Sequence, residues 1–395
     1  MTDQTSPRPD GGTPLQDLRV TELGQLLAGP FCGQLLGDFG AEVIKVEDPG
    51  QGDPMRQWGR EKPHGMSLWW PVVARNKKSV TANLRDPRGQ DLVRRLAERS
   101  DVLLENFRPG TLERWGLAPE QLWEINPGLV ITRVTGFGSI GEAMGGIRYV
   151  TGDADRPPSR AGISLGDALA ATFAALGTMV ALHARQRTGR GQVVDSAIYE
   201  AVLAVMESLL PEWSLAGYQR ERTGSVLPNI APSNVYPTSD GDLILIAANQ
   251  NSVFRRLSGV MGRPGLADDE RYATHGARGA HMAELDDLIS AWTATKTADG
   301  LLDALHAGGV PAGRIYRARD MLSDPHFAAR EAIIRLAHPE LGELPMQGVF
   351  PRLSSTPGRV RHPGPELGEH NDEVYRGLLG LGDGEMEELT AGGVI

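Results

Sequence analysis

The chain has 395 residues, 40% of them hydrophobic and 23% charged, with a formal net charge of -10. That length and composition describe a globular protein of about two or three domains with room for a substantial core. The acidic balance excludes nucleic acid as the partner, because neutralising phosphates needs a basic surface. The single cysteine, Cys32, excludes an internal disulfide and fits a reducing compartment.

In chain order, residues 1–14 are polar and rich in Pro and Gly, and are expected to be disordered, with no hydrophobic signal core. No stretch approaches the ~18 apolar residues of a membrane span, so a cytoplasmic location and no membrane partner are expected. Leu18–Leu23 reads as a strand, Pro30–Phe39 as a helix and Glu42–Glu47 as a second strand. Ser79–Leu84 reads as a third strand, and Pro87–Arg99 as a helix with Leu92, Val93 and Leu96 on one face. Asp101–Asn106 and Leu129–Val134 continue the strands, with helical Leu112–Trp115 and Pro119–Ile125 between them. Such alternation predicts an α/β fold, a Rossmann-like large domain built on a parallel sheet. The glycines Gly24, Gly29 and Gly33 do not make G-x-G-x-x-G, so no nicotinamide cofactor follows.

A long apolar helix follows, beginning near Ser164 and Asp167, and ends at the turn Gln186–Gln192. The run Val193–Met206 reads as buried. Composition then shifts. Residues 15–210 are assigned to the large domain, 211–233 to a linker, 234–318 to a smaller α+β domain and 319–331 to a second linker, with 332–395 completing the large domain. Within the small domain Asp240-Gly241 supplies a tight hairpin turn between Val235–Thr238 and Leu243–Ala247.

Asp167 stands before a run of small residues, Ala168, Ala170, Ala171, Ala174, Ala175 and Gly177, that lets other backbone or a ligand come close. Its plain role is a helix cap, shared with Ser164. Its chemical role is that of a carboxylate, ionised at neutral pH, that attacks an activated carbonyl and carries the acyl group as an anhydride. Spacing alone does not choose between them. Arg75, Lys77, Lys78, Arg85, Arg108 and Arg114 form either a solvated face or the bed of a phosphorylated ligand. Trp58, Trp69 and Trp70 are core residues or pocket walls. The nine histidines make no H-E-x-x-H, so no metal site is expected, and Cys32 reads as a small core residue.

Several stretches, in order, resemble the class III CoA-transferase family, which includes formyl-CoA transferase and the carnitine CoA-transferases. They are Leu27-Ala28-Gly29-Pro30, Gly40–Glu47, Arg75–Ser79, Glu105–Gly110, Gly166-Asp167, Arg187–Gln192, Gly309–Gly313, Asp324-Pro325-His326 and Leu367–Asn371. The similarity runs from about Leu15 to Ile395. It implies an interlocked homodimer, CoA and acyl-CoA as substrates with no cofactor held covalently at rest, and a small carboxylic acid, a dicarboxylate in some members, as acceptor. Asp167 falls on the family nucleophile, which passes through a mixed anhydride and an aspartyl-CoA thioester. Backbone N–H groups of Leu27 and Ala28 fall on the oxyanion side. Ala28, Arg85, Asn106, Phe107, Arg108 and Arg114 match CoA contacts, and Trp58 and Trp69 match the acid pocket.

Three departures stand out. Thr135 and Asp48 replace basic residues found in some relatives, and Gly224–Pro232 is the nearest candidate for a lid. The segment Gly136–Glu142 is about a dozen residues shorter than in relatives. A 2-methylacyl-CoA racemase of the same fold is the main alternative, disfavoured because no histidine lies between Gly136 and Asp167 to act as second base. A non-catalytic CoA-binding protein is the third reading.

Overall fold

A computed structural model describes residues 12–395. Most of the expected loose N-terminus, residues 1–11, lies outside the described residues. Six strands form the central sheet: β1 (Arg19–Glu22), β2 (Glu42–Glu47), β3 (Lys77–Thr81), β4 (Val102–Glu105), β5 (Val130–Thr135) and β6 (Val193–Ala197). All pairs are parallel, in the order β3-β2-β1-β4-β5-β6. This is the doubly wound order, and its topological switch point falls between β1 and β4, the place where sheets of this kind bind ligands beyond the carboxyl ends of their strands.

The inner strands are largely buried because helices cover both faces, and they are apolar apart from a few buried polar and charged residues such as Glu22, Lys45 and Glu105. Val102, Leu103 and Leu104 are all fully buried. On one face Leu92, Val93 and Leu96 of the Pro87–Glu98 helix pack with Val374, Tyr375, Met386 and Leu389 from the C-terminal helices. Burying each such side chain contributes about 1.5–3 kcal/mol. On the other face the Ala28–Asp38 and Leu165–Thr188 helices pack together through Cys32, Leu36, Ala170, Ala171 and Ala174. The small residues of the long helix therefore chiefly admit a neighbouring helix and the sheet.

Several expectations need correction. The third strand is Lys77–Thr81 rather than Ser79–Leu84, because it pairs with Val43–Glu47 and the chain then turns toward the helix capped by Asp86. The run Val193–Met206 is only half buried: β6 is an edge strand, and Val193, Tyr199, Leu203 and Val205 are exposed. Part of the stretch read as a linker is the helix Leu209–Ala216, whose Leu210, Trp213 and Leu215 are exposed apolar residues, and helices Ala318–Ser323 and Pro325–Ala329 occupy most of the other. The Leu165–Thr188 helix is, by length and composition, long and apolar enough to cross a membrane, contrary to the sequence reading. Its place is beside β5 and β6 in a mixed sheet-and-helix core.

The chain divides into two compact units. The first comprises 12–147, 161–208 and 328–395, the described part of the large unit, and carries the sheet and a hairpin of β10 (Ile333–His338) and β11 (Gly342–Gln347). The second comprises 148–160 and 209–327. It holds an antiparallel sheet of β7 (Ser233–Pro237), β8 (Leu243–Ala247) and β9 (Ala312–Arg314), with Gly241 at φ 80° in the hairpin turn. Its core gathers Phe254, Leu257, Leu285, Ile289 and Leu301 from three helices.

Candidate active site

Beyond β5 the chain turns through Gly136, at φ 113°, and enters a helix at Gly138–Met144. The Leu165–Thr188 helix starts beside it. Ser164 is the residue before its first turn, yet its side chain makes no capping hydrogen bond, and Asp167 lies inside the first turn. The cap comes from elsewhere: the Gly166 N–H donates to Oε1 of Glu142 at 3.2 Å, and Glu142 is 2% exposed. Asp167 is half-buried. Its carboxylate lies directly over Gly138, so close that a Cβ there would sit 2.9 Å from Asp167 Cγ. Bare glycine backbone is what gives the carboxylate its place, and the helix N-terminus lends it partial positive charge.

The second wall is the loop from β1 to the Ala28–Asp38 helix. Leu26 holds a left-handed conformation, φ 62°, that costs a non-glycine residue about 1–2 kcal/mol. Side chains from four places hold this loop. Asp53 Oδ1 accepts the N–H groups of Leu26 at 3.0 Å and Met55 at 2.8 Å. Its Oδ2 pairs with Lys45 Nζ at 2.8 Å, both side chains being 1% exposed. Lys45 also donates to the Gly24 carbonyl, and Lys77 donates to the Pro30 carbonyl at 2.6 Å and to both oxygens of Glu22. Asn106 grips Gln25 at both ends, accepting its N–H at 2.7 Å and donating to its carbonyl at 2.8 Å. Burial alone would raise the Asp53 carboxyl, but the Lys45 ammonium and the two amide donors hold it below the ordinary carboxylate range. Deleting one partner strands a buried charge, at about 3–5 kcal/mol.

The helix that this loop feeds begins with Leu27 as its cap and Ala28 as its first residue. By helix geometry the first N–H groups lack acceptors within the helix, and Pro30 has none to offer. A cavity of about 1040 Å³ brings Leu27 and Trp69 together with Ile163, Ser164 and Ala168, which flank Asp167 in sequence. Trp58 meets Trp69 edge-to-face at 6.1 Å, and both are partly exposed. Thr172, Ala175, Leu176 and Met179 extend the cavity along the long helix toward Phe350.

The other sequence-selected residues divide by position. Asn106, Phe107, Arg108 and Arg114 all follow β4, next to β1 across the switch point. Arg108 is exposed, with its guanidinium 5.9 Å from the ring of Phe137, and Arg114 is exposed beside Thr111. Phe107 packs edge-on against Trp115 in the core, and the Asn106 amide is engaged by Gln25. Arg85 follows β3, at the far edge of the sheet, and is exposed. Cys32 is fully buried, and burial pushes its thiol far up, so it is a core residue and no nucleophile. Sequence reasoning passed over Gly138, Glu142, Asp53 and Leu26. The pair Gly136-x-Gly138 after a strand was the one visible signal; the rest act through contacts between distant segments.

Comparisons with known proteins bear on this geometry. The model of CoA-transferase family III matches residues 15–371. The chain is 61% identical, over 407 aligned positions and the whole of both chains, to the succinyl-CoA–D-citramalate CoA-transferase of Chloroflexus aurantiacus. It is 38% identical to the beta subunit of the succinyl-CoA–L-malate CoA-transferase of the same organism, over 98% of this chain and 100% of that one. Among solved structures, a CAIB/BAIF family protein from Brucella suis superposes with a TM-score of 0.82 at 35% identity, covering 93% of this chain and all of its own. The chain belongs to CoA-transferase family III.

Proposed function

We propose that this CoA-transferase, which moves CoA from an acyl-CoA thioester to a carboxylic acid, takes succinyl-CoA as donor and a short branched or hydroxylated dicarboxylate of the citramalate type as acceptor, and that Asp167 is the nucleophile. The observation that carries the mechanism is the Asp167 carboxylate lying on the bare backbone of Gly138, in the first turn of the helix whose Ser164 and Ala168 line a cavity with Leu27 and Trp69. The substrate reading is supported by the relative at 61% identity.

Asp167 attacks the thioester carbonyl and CoA leaves as thiolate, giving a mixed anhydride. The thiolate then attacks the aspartyl carbonyl, which releases succinate and leaves an aspartyl-CoA thioester. The acceptor carboxylate attacks that thioester, again expelling the thiolate, and the thiolate finally takes the acceptor acyl group and restores Asp167. Each step builds negative charge on a carbonyl oxygen. The N–H groups of Leu27 and Ala28 stabilise it. Arg108 and Arg114 draw the phosphates of CoA as charged donors, Arg85 reaching from the sheet edge.

The exposed apolar face of the long helix, with Leu176, Met179 and Val180, and the exposed Phe350 support a second copy as partner, the interlocked homodimer. A cytoplasmic location is the companion proposal. The test is a donor and acceptor matrix read by mass spectrometry: succinyl-CoA with D-citramalate gives citramalyl-CoA, and Asp167→Asn falls below about one part in 10³ of that rate while still binding CoA. Normal transfer by the variant refutes the mechanism, and acceptance of only monocarboxylates refutes the substrate reading.

A further inference from the structure

The loop that presents Leu27 and Ala28 adopts a backbone that its own sequence disfavours. Leucine at φ 62° has no intrinsic reason to stay there, and Gln25 and Leu27 on either side are not glycines either. A peptide left to itself would relax Leu26 to negative φ and swing the following N–H groups. What opposes that relaxation is specific. Asp53, itself 1% exposed, accepts the Leu26 N–H at 3.0 Å, and its other oxygen is fixed by Lys45 at 2.8 Å. The same Lys45 ammonium donates to the carbonyl of Gly24, two residues before Leu26. One buried ion pair therefore holds both the donor and acceptor sides of the turn.

Asp53 has a second task that ties it to neighbouring structure. The oxygen that takes the Leu26 N–H also caps the Pro54–Gln57 turn through Met55 at 2.8 Å, and the Asp53 N–H donates to Glu47 Oε2 at 2.9 Å. Its position is thus set by β2 and by the turn after it, not by the loop it restrains. A rigid group holding a strained one is the arrangement expected where backbone conformation serves a site.

We infer that Asp53 is a positioning residue of the transfer reaction, which holds Leu26 left-handed so that the Leu27 and Ala28 N–H groups point at the developing oxyanion. It rests on the oxyanion reading of those two N–H groups, and touches neither substrate nor CoA. The consequence is a defect in turnover rather than in affinity.

The experiment compares Leu26→Val, Asp53→Asn and the double variant Asp53→Asn/Leu26→Gly in full steady-state kinetics with succinyl-CoA. Leu26→Val leaves the buried charges untouched, so it folds if the chain folds. A β-branched residue resists positive φ, and kcat is expected to drop by about 10-fold or more, KM for the thioester moving less than about 3-fold. Asp53→Asn shows the same split. Glycine adopts φ 62° freely, so Leu26→Gly restores about 5-fold or more of the kcat that Asp53→Asn loses. Wild-type kcat in Leu26→Val, or no restoration by glycine, overturns the inference. An amide-to-ester exchange at Ala28, which removes its N–H alone, separates the two levels. If the ester slows transfer and Leu26→Val does not, the oxyanion reading stands and the role of Asp53 falls. If the ester turns over normally, the oxyanion reading falls and takes the inference with it.

Discussion

Gly138→Ala separates stability from chemistry more cleanly than any other single change. The glycine opens the Gly138–Met144 helix at a backbone angle open to any residue, so alanine is accepted locally and favours the helix by up to about 1 kcal/mol. Its Cβ, however, would stand 2.9 Å from Asp167 Cγ, where ordinary contact begins near 3.4 Å. Asp167 Oδ2 lies closer still, so the carboxylate must retreat by roughly 1 Å or turn, and Gly166, Ile198 and Glu142 crowd the same turn from behind. Misplacing a nucleophile by that much costs on the order of 10–100-fold in rate, about 1.4–2.8 kcal/mol of activation free energy. The assay is kcat for succinyl-CoA transfer alongside thermal unfolding, and the expected result is slower turnover with unchanged or raised melting temperature. A variant that turns over at the wild-type rate refutes the placement of Asp167 on Gly138. One that loses rate only because it has unfolded refutes the local argument.

Glu142→Ala removes the acceptor of the Gly166 N–H from a fully buried position and lowers stability by about 1–2 kcal/mol, whereas Glu142→Gln, which keeps an acceptor, loses less than half of that in denaturant titrations. Burial, opposed by the Phe107 N–H and Arg133, pushes Glu105 from its ordinary 4.5 up to about 7. The folded state then keeps the proton that the unfolded state gives up, so this group's contribution is most favourable below pH 4.5 and falls as pH rises toward 7, by about 3 kcal/mol in all. Glu105→Gln should therefore gain stability relative to wild type across that interval, and a constant difference would contradict the assignment. Arg108→Ala raises KM for acyl-CoA with little change in kcat, while Asn106→Ala, which frees Gln25, lowers kcat as well. Cys32, buried on the inner face of the Ala28–Asp38 helix, resists alkylation in the native enzyme and reacts once denaturant is added.

Much of the architecture could be read from residue order because strand-forming runs alternate with helices, and a parallel sheet leaves few alternatives. Strand order could not. That Val193–Ala197 would be an edge strand, and so exposed, depends on which strand it pairs with, which no local pattern records. The site divides in the same way. Asp167 was visible as a residue but ambiguous as a role, cap or nucleophile, and the Glu142 side chain that accepts the Gly166 N–H carried no mark of it in the sequence. Asp53 and Leu26 were not visible at all. Their bond joins segments 27 residues apart, and a leucine carries no mark of the left-handed region it occupies. The alanines behind Asp167 were suggestive of an open pocket because small side chains serve two ends, and here Ala170, Ala171 and Ala174 serve helix packing while Ala168 and Ala175 line the cavity.

The central claim is that acyl and CoA groups pass through Asp167. Rapid acid quench of the enzyme with succinyl-CoA, followed by proteolysis and mass spectrometry, tests it directly. A CoA or succinyl adduct is expected on the peptide carrying Asp167, formed as fast as turnover and discharged by the acceptor acid. Full turnover with that peptide unmodified, or with the adduct on another residue, contradicts it.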